Sequence, residues 1–195
     1  MARDEAVRLI EQAAEKSLTK LDLSGLELEE WPPEIAKCTS LTELNLSNNQ
    51  ITSIPEYLQL MSNLEWLDLG RNQITFIPAT IGQLSNLKGV NLSNNQITSI
   101  PEAIGHLSNL ECLLLNENRI TLIRKNELSQ LSDLKLAWLN ISGNPTIKVD
   151  INPGSSGFPT SIGKMQKLKV DDVYKDGTYS HSAYQLPQPP NGWKL

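Results

Sequence analysis

Residues 64–86, LEWLDLGRNQITFIPATIGQLSN, stand between residues 41–63, LTELNLSNNQITSIPEYLQLMSN, and residues 87–109, LKGVNLSNNQITSIPEAIGHLSN. Written one beneath another, the three strings keep their aliphatic residues, an asparagine and a proline in the same columns. The pattern extends outward in both directions. LTKLDLSGL begins at Leu18 and LECLLLNEN at Leu110, each in step with the 23-residue period, and LAWLNISGN follows at Leu136 after a step of 26. Repetition at a fixed period is the mark of a stacked array, in which each unit buries its apolar face only against its neighbours.

The letters have a physical reading. In LxxLxLxxN the leucines fall on one side of a short strand and the intervening residues on the other. Stacking the units joins the strands into a parallel sheet and the leucines into one core. The asparagine closes the strand, and its amide can donate and accept at once. Asn49, Asn72, Asn95, Asn118 and Asn144 are therefore expected to form a ladder that serves turn backbone groups of adjacent coils. The pairs Ile54-Pro55, Ile77-Pro78 and Ile100-Pro101 predict an extended return, and Ile81 with Leu84, or Ile104 with Leu107, a short turn on the far side.

This spacing resembles the leucine-rich repeat family in its 23-residue intracellular form. The resemblance implies an α/β fold: a short right-handed solenoid, or horseshoe, with a parallel sheet on its concave side. Six coils would occupy residues 18–144, after an N-terminal capping helix at 1–17. An inserted loop and irregular C-terminal cap would follow at 145–180 and a proline-rich tail at 181–195. The opening string KLDLSGLELEEWPPEI (residues 20–35) also looks like the first repeats of bacterial and cyanobacterial repeat proteins, including Roco-type proteins, in which such repeats precede a GTPase domain.

A solenoid exposes core at both ends unless they are covered. Val7, Ile10 and Ala14 mark one helical stripe with Asp4 as N-cap, which predicts a cap over the first coil. The first coil has Leu26 where asparagine is expected and Trp31 in place of isoleucine, both suited to an end unit. At the other end Arg124 replaces the proline. FPTSIGKMQKL (158–168) matches the filler at 77–87 nine residues late, and Asp171 ends the pattern. Asp176-Gly177 predicts a hairpin able to pair on the last strand of the sheet.

Composition excludes several functions. The net charge is −5, and residues 18–144 hold 14 acidic and eight basic side chains, with no basic stripe for nucleic acid or an anionic membrane. No apolar run is long enough for a membrane span. Cys38 and Cys112 stand alone, which argues for a reducing, cytoplasmic setting and against a disulfide scaffold. GFPTSIGK (157–164) continues with Met165 and so fails as a phosphate loop; DVYKDG (172–177) lacks the middle and terminal ligands of a calcium loop. His106 belongs to a surface turn and His181 to the tail. Cys112, read as outward-facing, is the accessible thiol, but no basic group beside it would lower its pKa. Asn45, Asn91 and Asn140 head Asn-x-Ser triplets that follow from the repeated strands. Neither catalytic residues, a metal nor a cofactor is expected.

Surface remains. Rows across the outward strand positions read Lys20, Glu43, Trp66, Gly89, Cys112, Trp138; then Asp22, Asn45, Asp68, Asn91, Leu114, Asn140; then Ser24, Ser47, Gly70, Ser93, Asn116, Ser142, with Arg71 and Glu117 beside the last. In the family this resembles, the concave sheet is the usual binding face. The expectation is a monomeric, non-catalytic protein-binding module. Trp66, Leu114 and Trp138 would be solvent-facing apolar contacts, and Asp68, Arg71, Asn91, Asn116 and Glu117 polar selectors. Three other readings are a regulatory segment of a larger signalling protein, a hydrolase or redox enzyme that uses Cys112 or an unrecognised pocket, and a proline-rich tail that docks in an aromatic groove.

Overall fold

Period-2 alternation in each LxL run sets three-residue strands side by side, one per coil. A computed structural model describes residues 2–124, 134, 136, 138–145, 147–150 and 178–179. One helix, α1 (Ala2–Glu15), precedes β1 (Lys20–Asp22), β2 (Glu43–Asn45), β3 (Trp66–Asp68), β4 (Gly89–Asn91), β5 (Cys112–Leu114), β6 (Leu122–Arg124), β7 (Trp138–Asn140), β8 (Ile147–Asp150) and β9 (Thr178–Tyr179). Six of the strands form a parallel sheet in the order β1-β2-β3-β4-β5-β7. Its register runs Lys20, Glu43, Trp66, Gly89, Cys112, Trp138, the first of the rows read from the sequence.

Single turns of 3-10 helix at Pro33–Lys37, Glu56–Leu60, Ala79–Gln83 and Glu102–His106 make the opposite wall. The last three begin after Pro55, Pro78 and Pro101, whose fixed φ (−74°, −70° and −72°) sets the extended entry. Between the walls lies one aliphatic core. Leu44, Leu67, Val90 and Leu113 from the strands and Leu58, Ile81 and Ile104 from the turns are all almost fully enclosed. Each such side chain contributes about 1.5–3 kcal/mol relative to exposure.

The asparagines stitch the coils. The amide nitrogen of Asn72 donates to the carbonyls of Leu46, Leu69 and Gly70 at 3.0, 3.1 and 3.3 Å, and its oxygen accepts from the Ile51 amide at 3.0 Å. Asn49, Asn95, Asn118 and Asn144 repeat the arrangement in their own coils. A second ladder, unforeseen from the sequence, runs along the outer wall. Asn63, Asn86 and Asn109 donate to the carbonyls of Thr39, Ser62 and Ser85 at 2.8–2.9 Å, each reaching back one coil. Its signal is the recurrent Ser-Asn-Leu at 62–64, 85–87 and 108–110.

The ends depart from expectation in detail. The buried stripe of α1 is Ala6, Ile10 and Ala13, while Val7 and Ala14 are half-exposed. Spacing of i, i+4, i+7 follows the face that meets Trp31, Ile35 and Cys38; the i, i+3, i+7 reading was rotated by one residue. Asp4 lies inside the first helical turn, where a carboxylate favours the helix dipole, and is not the N-cap. Where Arg124 stands for proline, the backbone keeps its N–H, and β6 pairs in parallel with β8. Ile147–Asp150, inside the segment read as an inserted loop, is therefore strand. Thr178–Tyr179, at the end of the expected hairpin, pairs antiparallel with β8 and not with the last strand of the main sheet. The hairpin turn at Asp176-Gly177, the string at 158–168, the tail at 181–195 and the side chain of Trp138 lie outside the described residues.

Candidate binding face

The second row of the concave sheet first serves the backbone. Side-chain oxygens of Asp22, Asn45, Asp68, Asn91 and Asn140 accept from the amide two residues on, at 2.9–3.1 Å, in five like turns. Asn91 is bound further: its amide nitrogen donates to Asp68 at 3.0 Å and its oxygen accepts from the Ser93 hydroxyl at 2.7 Å. At 4% exposure it is no free selector, and its Asn-x-Ser triplet leaves no room for a glycan on that amide.

Leu114 interrupts this row. Read as an exposed contact, it is 3% exposed. An aliphatic side chain gains by lying against the sheet, so it offers a partner no protruding anchor. Two residues on, in the coil that Leu114 leaves without the row's turn-forming oxygen, Asn116 has its side-chain oxygen enclosed and without a hydrogen-bond partner. Cys112 is the second correction: the thiol read as accessible is fully buried. Its outward position on β5 is covered all the same, and burial pushes its pKa up to about 12. A buried neutral thiol is no nucleophile.

Trp66 is half-buried, and its ring lies across the backbone of Gly89 on the next strand, where a β-carbon would overlap it. Ion pairs flank it: Lys20 with Glu43 and Lys88 with Glu65, each at 2.7 Å. Asp68, two residues along β3 from Trp66 and on the same face, forms no ion pair among the described residues. Burial first, then the nearby charge of Asp22, raises its pKa, while the bonds from Gly70 and Asn91 pull the other way.

Above the strands each coil turns through a left-handed residue. Gly25, Asn48, Arg71, Asn94, Glu117 and Gly143 hold φ between 54° and 69°. Gly and Asn adopt that region readily, whereas Arg and Glu give up about 1–2 kcal/mol there. Both project from the rim as exposed side chains, and the Glu117 carboxylate crosses over Gly143, which has no side chain to obstruct it. His106 is exposed on the outer wall. Among the described residues no group of His, Cys, Asp and Glu could hold a metal ion, and no helix is long and apolar enough to cross a membrane.

Two solved structures share this geometry. The BIR2 ectodomain from Arabidopsis thaliana superposes with a TM-score of 0.55 at 26% identity, over 71% of this chain and 72% of that one. The PEPR1–AtPEP1 complex gives a TM-score of 0.58 at 29% identity over 74% of this chain, which spans only 19% of the matched one. No curated protein matches the sequence. Repeats of this kind generally mediate protein–protein interaction and are typically non-catalytic. The leucine rich repeat family description matches residues 16–74, 62–120 and 85–146. With its leucine core, asparagine ladder and six-stranded parallel sheet, the chain belongs to the leucine rich repeat family.

Proposed function

We propose that the protein is a non-catalytic recognition module that binds a protein partner on its concave sheet, chiefly through the third coil. The observation that carries this reading is the concentration there of residues the repeat itself does not require. Asn or Gly at 71 would satisfy the turn without strain, Asn at 68 would make the same backbone bond, and Trp66 needs Gly89 beside it to lie down. Repeat architecture alone selects none of the three. The rigid strand frame means little backbone is ordered on binding, which favours affinity per contact.

Trp66→Ala is expected to weaken the partner at least about tenfold, about 1.4 kcal/mol, with only a small loss in thermal stability. The test captures proteins from source-cell lysate on wild type and on a Trp66→Ala, Arg71→Ala variant, then measures the dissociation constant of the captured protein against each. Equal constants overturn the concave-face assignment. The two separate, unpaired cysteines support a reducing, intracellular setting for this encounter.

A second reading takes the repeats as the regulatory segment of a larger signalling protein, of which the Roco type is one form. A reading frame that continues past Leu195 into a phosphate loop would support the Roco form.

A further inference from the structure

Around Trp66 the concave face is acidic in an uneven way. Glu43 and Glu65 are neutralised by Lys20 and Lys88 across neighbouring coils. Asp68 has no such partner among the described residues, although it stands about 6–7 Å along the strand from Trp66, on the same side. Its two hydrogen-bond partners among the described residues, the Gly70 amide at 2.9 Å and the Asn91 amide nitrogen at 3.0 Å, are neutral. The same position is filled by Asn45, Asn91 and Asn140 in three other coils, each making the same turn bond without a charge, and by Asp22 in the first coil. The turn bond therefore does not require the negative charge at 68, and burying that charge costs solvation.

We propose that Trp66 and Asp68 form a receptor for a cationic side chain of the protein partner, an arginine or lysine whose charged head lies on the solvent-facing part of the indole and hydrogen-bonds the Asp68 carboxylate. The inference rests on the concave-face reading and adds the chemistry of its occupant. An indole face attracts a cation within about 6 Å of its centroid, and the attraction strengthens as water is excluded. A planar guanidinium stacks and donates at the same time, so arginine fits better than lysine. The raised pKa of Asp68 is relieved when a cation arrives, so binding draws on a charge the free protein holds at a disadvantage. Charge complementarity extends past the pair. The concave rows and their rim carry Asp22, Glu43, Asp68 and Glu117 against Lys20 and Arg71, and this surplus of carboxylates favours a basic segment.

The probe is an acetylated, amidated peptide of four Arg-Ser repeats, with a Lys-Ser peptide and a Glu-Ser peptide for comparison. Each is titrated into nitrogen-15-labelled full-length protein while the Trp66 indole N–H, assigned by its loss in Trp66→Phe, and the Gly70 amide are followed. The Arg-Ser peptide should shift both signals saturably and more tightly than the Lys-Ser peptide, and the Glu-Ser peptide should shift neither. Asp68→Asn, which folds because asparagine already serves this position in three coils, should weaken the Arg-Ser peptide at least about fivefold. Equal affinity for Asp68→Asn and wild type, or equal shifts from the acidic peptide, overturns the proposal, as does an absence of shifts up to about 2 mM, a range that would capture even weak contacts. If the cation arms fail while the captured partner still loses affinity to Trp66→Ala, Arg71→Ala, only the occupant is wrong. If that double variant binds normally, the concave-face reading itself fails.

Discussion

The indole of Trp66 lies on the bare backbone of Gly89, the residue in register with it on the adjacent strand. Neither position is set by the leucine core, which faces the other way, so this pair is a property of the surface. Gly89→Ala should leave the fold intact, because the atoms a methyl group meets belong to a side chain able to swing. It should lift the indole into solvent. Acrylamide quenching of the fluorescence that Trp66→Phe removes should rise in Gly89→Ala, and partner affinity should fall. Unchanged quenching would show that the ring does not rest on the glycine.

The two asparagine ladders should differ in worth. Asn72 is 8% exposed and its amide satisfies four backbone groups within or between coils. Asn72→Leu orphans them, and unfolding in urea should show a loss of at least about 1–3 kcal/mol. Asn86 makes one bond at the exposed outer wall, so Asn86→Ala should cost about 1 kcal/mol or less. Comparable losses from both would mean that enclosure of the partners is not what makes the inner ladder strong.

That contrast also shows what the sequence could disclose. Leu44, Leu67 and Leu113 are buried because the period placed them on one face, and the inner ladder follows from one recurrent column. Those are properties of the repeat, and repetition writes them several times over. Burial on the concave side is written once per residue and depends on neighbours two strands apart. Leu114 and Cys112 read as outward by alternation and do point outward, but a curved sheet can still enclose an outward side chain. The α1 stripe slipped by a residue for a similar reason: Val7 and Ala6 are both apolar, and only the packing against Ile35 chooses between them. Asn63, Asn86 and Asn109 were legible in principle, since their Ser-Asn-Leu recurs, yet the bond across coils needs the stacking distance.

Asp68 links stability to pH with a definite sign. Its pKa is raised in the folded chain, mainly by burial and then by Asp22, so between the unfolded and folded values the native state holds the extra proton. Stability from this group is therefore greatest at acid pH and falls as pH rises through that window. Asp68→Asn removes the dependence and keeps the turn bond to Gly70. At neutral pH the variant should be as stable as wild type or more so, with a flatter profile in thermal melts between about pH 3 and 7. A neutral-pH loss of stability would mean that the carboxylate is satisfied by a cation in the free protein.

Arg71 and Glu117 hold left-handed backbone that their neighbours fill with Gly or Asn. Arg71→Gly should then gain from relief of strain, offset in part by the greater freedom of glycine in the unfolded chain. Arg71→Asn, with less to lose, should raise stability by about 0.5–1 kcal/mol in urea unfolding. Both should weaken the partner. A gain in stability joined to a loss of binding is the signature of a residue kept for recognition. A loss in both would place Arg71 in the fold.

Cys112 separates a binding module from a thiol enzyme. Burial alone pushes its pKa up to about 12, so it is a neutral thiol at pH 8, and the sulfur is fully enclosed as well. Alkylation must wait for coil 5 to open, so its rate reports a local unfolding equilibrium and not intrinsic nucleophilicity. Cys38, 3% exposed and donating to the Ile10 carbonyl at 3.5 Å, is tied to the helix that caps the other end. Iodoacetamide labelling resolved by peptide mass spectrometry should find both thiols slow in the native protein and both fast in urea. Asn118→Ala, which loosens coil 5, should accelerate Cys112 and leave Cys38 unchanged. Rapid, selective modification of Cys112 in the native protein at pH 7 would contradict its enclosure and restore a nucleophile to the concave face.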